Sequence, residues 1–293
     1  MRIDLTLALV AWSAVPGVAL AYETPKVLSL GGAGMALSQG NNAFYSNPAG
    51  IALGNYYSIE LAYFDDFQGD DRQVSASITD GFEKALTGGV GYVYRDRRRQ
   101  DRAPLPDLEA TEHRFDAAIA FQLAEGFAIG ASGRFVTTTD DIGGVDIDPS
   151  GFKEFTFDAG LMWRTSVGLS LAFVGTNLTD SDRPELPMTV GGGIGFAYEI
   201  INIEADVRYD IQSKNTHILG GAGVLIGEMF AVRAGFTYDT TTGASAISAG
   251  VGVANKQFGA DLGFRQRISG PTAAPGLNTE RLFGISVHGM PFL

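Results

Sequence analysis

Along residues 201–210, apolar and polar positions alternate without a break. Ile201, Ile203, Ala205, Val207 and Tyr209 share one face of an extended chain, and Asn202, Glu204, Asp206, Arg208 and Asp210 share the other. A helix would mix the two sets, so the period is two and the segment reads as a strand. The alternation recurs. Phe115, Ala117, Ile119 and Phe121 oppose Arg114, Asp116, Ala118 and Gln122. Phe155, Phe157, Ala159, Leu161 and Trp163 oppose Thr156, Asp158, Gly160 and Arg164. Phe258, Ala260, Leu262 and Phe264 oppose Gly259, Asp261, Gly263 and Arg265. The pattern predicts fourteen strands, at 55–64, 72–80, 85–95, 112–122, 126–138, 153–164, 168–178, 187–198, 200–210, 216–226, 229–238, 244–254, 256–267 and 280–290.

The connections sort by parity. Even-numbered ones are tight, such as Ala124-Glu125, Glu199 and Gly227-Glu228. Odd-numbered ones are longer, such as 65–71, 96–111 and 139–152. Short turns at one end and longer loops at the other are the habit of outer-membrane barrels, as is an even strand number. No amphipathic helix is present to cover so many apolar faces. In water they would form one large exposed patch; in lipid they match the solvent, and ring closure pairs every backbone group. The expected fold class is therefore all-β, a transmembrane antiparallel β-barrel spanning 55–293. Tyr56, Tyr57, Tyr63, Phe64, Tyr92, Tyr94, Trp163, Tyr198, Tyr209 and Tyr238 fall near strand ends, where a membrane interface places aromatic rings.

The N-terminus reads as an export signal over 1–21. Arg2 precedes an apolar run from Leu5 to Val15, and Ala19-Leu20-Ala21 forms a small-residue cleavage site before Tyr22. Met290-Pro291-Phe292-Leu293 places an aromatic one residue before the end, an approximate barrel-assembly signal.

Residues 22–54 do not alternate. They carry Leu30-Gly31-Gly32-Ala33-Gly34, then Asn47-Pro48-Ala49-Gly50, with Asn47 placed to cap a short helix that Pro48 begins. A fourteen-strand ring lies between eight strands, where side chains fill the interior, and sixteen, where a channel opens. Its lumen has room for this segment as a plug, or hatch.

Gly31, Gly32 and Gly34, followed by Asn47, Pro48, Ala49 and Gly50, resemble the N-terminal signature of the FadL-type outer-membrane transport superfamily. Thr176-Asn177-Leu178 before Leu186-Pro187, then Ile203-Glu204-Ala205-Asp206 and Val232-Arg233-Ala234-Gly235-Phe236, are similar to its PorV/PorQ-like branch. The resemblance implies a hatch in the lumen and one of two activities. The first is passive uptake of fatty-acid-like hydrophobic molecules with a lateral way out through the wall. The second is partnership with a protein-secretion system, with secreted proteins as partners. A structural or adhesive barrel is a third reading. Uptake carries the further expectation of an apolar pocket between residues 22–54 and the wall.

Charge refines this picture. The formal net charge is −12, which argues against nucleic acid as a partner. The chain has no cysteine, which fits passage through an oxidising compartment without bridges but is equally common in cytosolic proteins. Glu204, Asp206, Arg208, Arg233, Asp261, Arg265 and Arg267 all take inward positions, because an Arg facing lipid at mid-depth costs ~2–4 kcal/mol. Their mixed signs suit a paired network that fixes hatch to wall; the sharper reading is a polar lining that guides substrate. Gly88 and Gly89 mark either a kink in the wall, able to open it sideways, or a close approach of the hatch. Gly191-Gly192-Gly193 carries the same two readings.

Arg95, Arg97, Arg98, Arg99 and Arg102 read as a solvated outer loop, or one that meets lipid phosphate. Asp140, Asp141, Asp146 and Asp148 do not have the spacing of a calcium loop. The chain lacks a Gly-x-Ser-x-Gly elbow and a His-Glu-x-x-His pair, and His113, His217 and His288 are scattered. The expectation is a monomeric, non-enzymatic barrel of the cell outer membrane, in contact with lipid and needing no cofactor or metal.

Overall fold

The computed structural model describes residues 23–54, 56–66, 71–82, 86–99, 108–142, 145–146, 152–179, 186–255, 257–270 and 281–289. The export signal 1–21, Arg102, Asp148 and the C-terminal motif 290–293 lie outside these, as do the side chains of Asp140, Asp141 and Asp146.

Fifteen strands form one antiparallel sheet: β1 (Tyr57–Asp66), β2 (Asp71–Asp80), β3 (Thr87–Arg99), β4 (Leu108–Ala124), β5 (Phe127–Ile142), β6 (Val145–Asp146), β7 (Phe152–Arg164), β8 (Leu169–Thr176), β9 (Thr189–Tyr198), β10 (Ile201–Asp210), β11 (Asn215–Ile226), β12 (Phe230–Asp239), β13 (Ser245–Ala254), β14 (Phe258–Ser269) and β15 (Arg281–Gly289). The two-residue β6 pairs only with the end of β5, and β5 goes on to β7. The other fourteen close into a ring, since β1 pairs with β15 from Ile59↔Gly289 to Asp66↔Leu282. Closure removes both sheet edges, which alternation alone cannot guarantee.

The alternation maps onto the two sides of this wall. On β7, Phe155 is 59% exposed while Met162 is fully buried. Through the middle of the long strands the outward residues are mostly apolar, among them Leu61, Ile119, Phe173, Ile203, Phe230 and Val251. Many inward residues are small or polar, such as Ser75, Ala120, Ser132, Asp206 and Ser248, with larger apolar ones such as Phe64 and Met162 where residues 23–54 pack.

Three sequence expectations need correction. Residues 96–99, 108–111 and 139–142 were expected in loops but are strand, in ladders that run out to Arg99↔Leu108 and Leu108↔Ile142. Polar residues occupy both faces there, so the apolar signal stops while the pairing does not. The Arg cluster is consequently not all loop. Arg95 and Arg97 point inward from β3 and pair with Asp71 and Glu112. Phe64 is not an interface aromatic, because it is buried inside against Leu28. In the other direction, β8 stops two residues short of the expected 178. Asn177 adopts φ 53° and turns the chain out of the ladder.

Candidate functional site

Residues 23–54 lie inside the ring, in contact with strands all around it. Helix α1 (Pro25–Ser29) starts where Thr24 accepts a hydrogen bond from the Val27 amide and Pro25 fills the first turn. Helix α2 (Asn41–Ser46) follows, and then a 3₁₀ helix over Pro48–Leu53. Asn47 caps the latter by accepting from the Ala49 amide at 3.1 Å. Its own amide nitrogen donates to Met35 O at 2.9 Å and to Leu161 O on β7 at 3.3 Å. One side chain thus ties the cap, the glycine-rich turn and the wall together. Gly50 allows no substitute, since a Cβ there would fall on Ser38 O. Gly31 and Gly32 adopt φ 72° and 82°, which favours glycine at both.

The wall receives the segment through glycines. A Cβ at Gly130 would lie 2.5 Å from Ala49 N, one at Gly221 2.5 Å from Leu30 O, and one at Gly235 on the backbone of Leu30 and Gly31. Gly191 and Gly193 face Met35, and Gly89 and Gly91 face Phe44. Gly88 and Gly89 pair with Ile119 and Ala118 with no shift of register, so the ladder is unbroken at the pair considered for a kink. Apolar contacts fill the remaining gaps. Ala43, Phe44, Ala49, Ile51 and Ala52 pack on Ala118, Ala120, Ala128 and Met162; Met35 and Ala36 pack on Ala172 and Val174.

Charge completes the hold. Asp206 Oδ2 accepts from the Gly34 and Met35 amides at 2.8 and 3.0 Å; Glu204 Oε1 accepts from Ala36 and Leu37 at 2.6 and 3.0 Å. Four successive amides of a tight turn therefore end on two carboxylates of one strand face. Arg265 holds Glu23 through both oxygens, at 2.8 and 3.0 Å. Arg233 pairs with Asp261 at 2.6 Å. Lys26 stands among Asp261, Glu204 and Glu60. Burial draws its pKa below the ordinary lysine range, and the Arg233 charge adds to that. Of the seven inward charges named from the sequence, Glu204, Asp206, Arg233, Asp261 and Arg265 are buried, and Arg208 and Arg267 are half-buried on the same inner face. Arg233 and Asp261 pair with each other, whereas Glu204 and Asp206 bind peptide amides.

Replacing both carboxylates by their amides, E204Q with D206N, exchanges charged acceptors for neutral ones. Bonds to charged groups contribute about 1.5–3 kcal/mol each. Hydrogen exchange at the amides of residues 34–37 is expected to accelerate at least about tenfold, the equivalent of ~1.4 kcal/mol. Unchanged exchange would show that something else holds the turn.

A second network was not singled out from the sequence. Arg134 on β5 donates to Asp116 at 3.0 Å, to Asp158 at 2.6 Å and to Asn177 Oδ1 at 2.6 Å. Arg114 donates to Asp116 at 2.7 Å, and its guanidinium lies 5.8 Å from the centre of the Tyr45 ring. Asn177 N–H donates to Asp158 at 2.8 Å. Extending the alternation through 127–138 would have placed Arg134 inside with the others.

A cavity of about 540 Å³ opens on the outward face near the short-turn end, lined by Ile59, Leu61, Val253, Phe258, Ala260 and Val287 among others.

No family model and no curated protein matches the sequence. Solved structures do match in fold. The chain is similar to the Ralstonia pickettii toluene transporter TbuX at 12% identity and TM-score 0.71, over 94% of this chain and all of that one. It is similar to the monoaromatic hydrocarbon channel CymD at 13% identity and TM-score 0.71, over 92% and 98% of the two chains. A Pseudomonas aeruginosa FadL homologue matches at 12% identity and TM-score 0.68, over 92% and 98%. At these identities the likeness establishes a shared fold, a closed fourteen-strand antiparallel barrel.

Proposed function

We propose that this chain, after loss of residues 1–21, is an outer-membrane barrel for passive uptake of hydrophobic small molecules, with residues 22–54 as its hatch. The observation that carries this reading is a fold shared over more than nine-tenths of the chain with proteins described as hydrocarbon channels. The outward apolar band matches lipid, and closure leaves no strand edge exposed to it. A hatch held by side-chain contacts to the wall, and not by the ladder itself, is the element whose movement would open a path. The test is accumulation of labelled toluene and of labelled hexadecanoate by cells with and without the gene. Faster accumulation of either with the gene is expected; equal rates for both would overturn the proposal.

The close filling of the lumen by residues 23–54 favours a second reading, a PorV-like partner of a secretion system. Secreted proteins that co-purify with the tagged barrel, together with equal uptake rates, would establish that reading in place of the first.

A further inference from the structure

The register lines up outward residues across β3, β4, β5 and β7. One row holds Tyr92, Phe115, Phe135 and Phe155, each opposite the next. The three phenylalanines are 54%, 42% and 59% exposed, and the Tyr92 and Phe115 rings lie 4.9 Å apart. Two residues nearer the longer loops, the next outward row holds Tyr94, His113, Thr137 and Lys153. The row beyond holds Asp96, Thr111 and Thr139. With strands ~4.8 Å apart, four residues in a row extend over about 14 Å. An aromatic band gives way to a line of donors, and that line to hydroxyls and a carboxylate.

The donors are set in place. Tyr92 Oη lies 2.8 Å from His113 Nδ1. With the phenol donating, the imidazole carries its proton on Nε2. The Tyr94 ring stands 5.3 Å from the imidazole on the loop side. Lys153 is exposed and makes no ion pair among the described residues. Among the described strand residues, Arg72 and Lys153 are the outward cations and His113 is the outward histidine, so all three fall in one sector of the ring. Arg72 is engaged with Asp65 at 3.5 Å. The acids nearest the donors on this face, Asp96 and Glu109, stand beyond them, towards the loops.

We propose that this face of the wall binds a phosphorylated glycolipid of the outer leaflet. This rests on the outer-membrane placement proposed above and is independent of uptake. Longer loops belong to the outer side of such barrels, which puts the donor row at the level of outer-leaflet headgroups. A phosphate seated over Thr137 has His113 Nε2–H on one side and the Lys153 ammonium on the other. Hydrogen bonds from a charged donor to phosphate are roughly twice as strong as neutral ones. The acyl chains then lie on the four rings. Sugar hydroxyls meet Thr111, Thr139 and the accepting carboxylate of Asp96. A two-chain phospholipid covers fewer of the rings and lacks the sugar.

The experiment measures, by native mass spectrometry of the full barrel in detergent, the binding of bisphosphoryl lipid A, of lipid A stripped of its phosphates, and of dioleoylphosphatidylglycerol. Bisphosphoryl lipid A is expected to bind at least about tenfold more tightly than either of the others, the equivalent of ~1.4 kcal/mol. His113→Gln combined with Lys153→Gln should lower it to the level of the stripped compound. Lys153→Arg should keep the preference. Lys214→Gln removes the same charge at the exposed turn between β10 and β11 and should leave binding at the wild-type level. Unchanged folded gel mobility in the double variant separates lost binding from lost fold, and Lys153→Gln alone, at an exposed position, carries the test if the double variant does not fold. A preference that survives in the variants, or phosphatidylglycerol bound as tightly as lipid A, would overturn the site and leave the outer-membrane reading standing. Recovery of the barrel in the soluble fraction of cells would overturn both.

Discussion

Gly235→Leu is expected to drive residues 23–54 out of their seat while the fourteen-strand ring persists. A Cβ at this position falls on the backbone of Leu30 and Gly31, and on the other side Gly235 is fixed in a ladder opposite Gly221 and Ser248. Neither side can yield by rotating a side chain. The contact is reinforced by Thr237 Oγ1, which donates to Gly31 O at 2.7 Å. Overpacking costs about 1–3 kcal/mol where neighbours can adjust, and more where they cannot. Amide exchange over residues 30–37 should rise at least about tenfold, which corresponds to ~1.4 kcal/mol. Ion conductance across a planar bilayer should rise with it. Gly220→Ala is the control. Gly220 is one residue away from Gly221 on the outward face, and an added Cβ comes no nearer than 3.8 Å to Glu204 O. Wild-type conductance and exchange in Gly235→Leu would mean that the segment does not sit against this glycine in the membrane.

The second large effect belongs to Arg134. Truncation to alanine takes from Asp158 the guanidinium at 2.6 Å and, among the described residues, leaves Asp116 with Arg114. It also removes the donor that holds Asn177 Oδ1, at the turn where β8 ends. Breaking a buried pair from one side costs about 3–5 kcal/mol, because a desolvated charge remains. A barrel that keeps its folded gel mobility on mild heating should lose it at a distinctly lower temperature in Arg134→Ala. Arg72→Ala gives the contrast: that guanidinium is 60% exposed and 3.5 Å from Asp65. Exposed pairs contribute about 0–1 kcal/mol, so its melting should stay near wild type. Arg134→Met combined with Asp158→Asn should recover part of the loss by removing the stranded charge. Equal melting for Arg134→Ala and Arg72→Ala would show that the network does not hold the outer half of the wall.

The wall was legible in the sequence because an outward face without a covering element imposes a simple demand. Every second residue must be apolar, and Phe155-Thr156-Phe157-Asp158 announces that without reference to any other part of the chain. Legibility ended where the outward face turns polar. Thr111, Glu112, Arg97 and Thr139 carry β3, β4 and β5 onward by cross-strand polar contacts, such as Thr111 Oγ1 to Thr139 Oγ1 at 3.1 Å, and these leave no periodic signature. The inward positions of Glu204 and Asp206 followed from the same alternation, but their partners did not. Those partners are backbone amides of residues 34–37, and a backbone amide is the same in every sequence. Helix α1 was missed although Thr24-Pro25 is a sound start signal, because five residues are too few for a helical period to show.

The two faces of this wall also set how the chain can change over generations. Outside, on the proposed reading, the neighbour is liquid lipid, and Ile203 or Phe236 could drift to any apolar residue of any size with little consequence. Inside, Gly130, Gly221, Gly235 and Gly250 are bounded by the chain's own atoms and have no smaller residue to exchange for. Tolerance to substitution should therefore rise and fall with a period of two along each strand, permissive outside and restrictive inside. The segment in the lumen leaves its imprint on positions as far as 242 residues away, and it could not be exchanged for an unrelated one without rewriting that inner stripe.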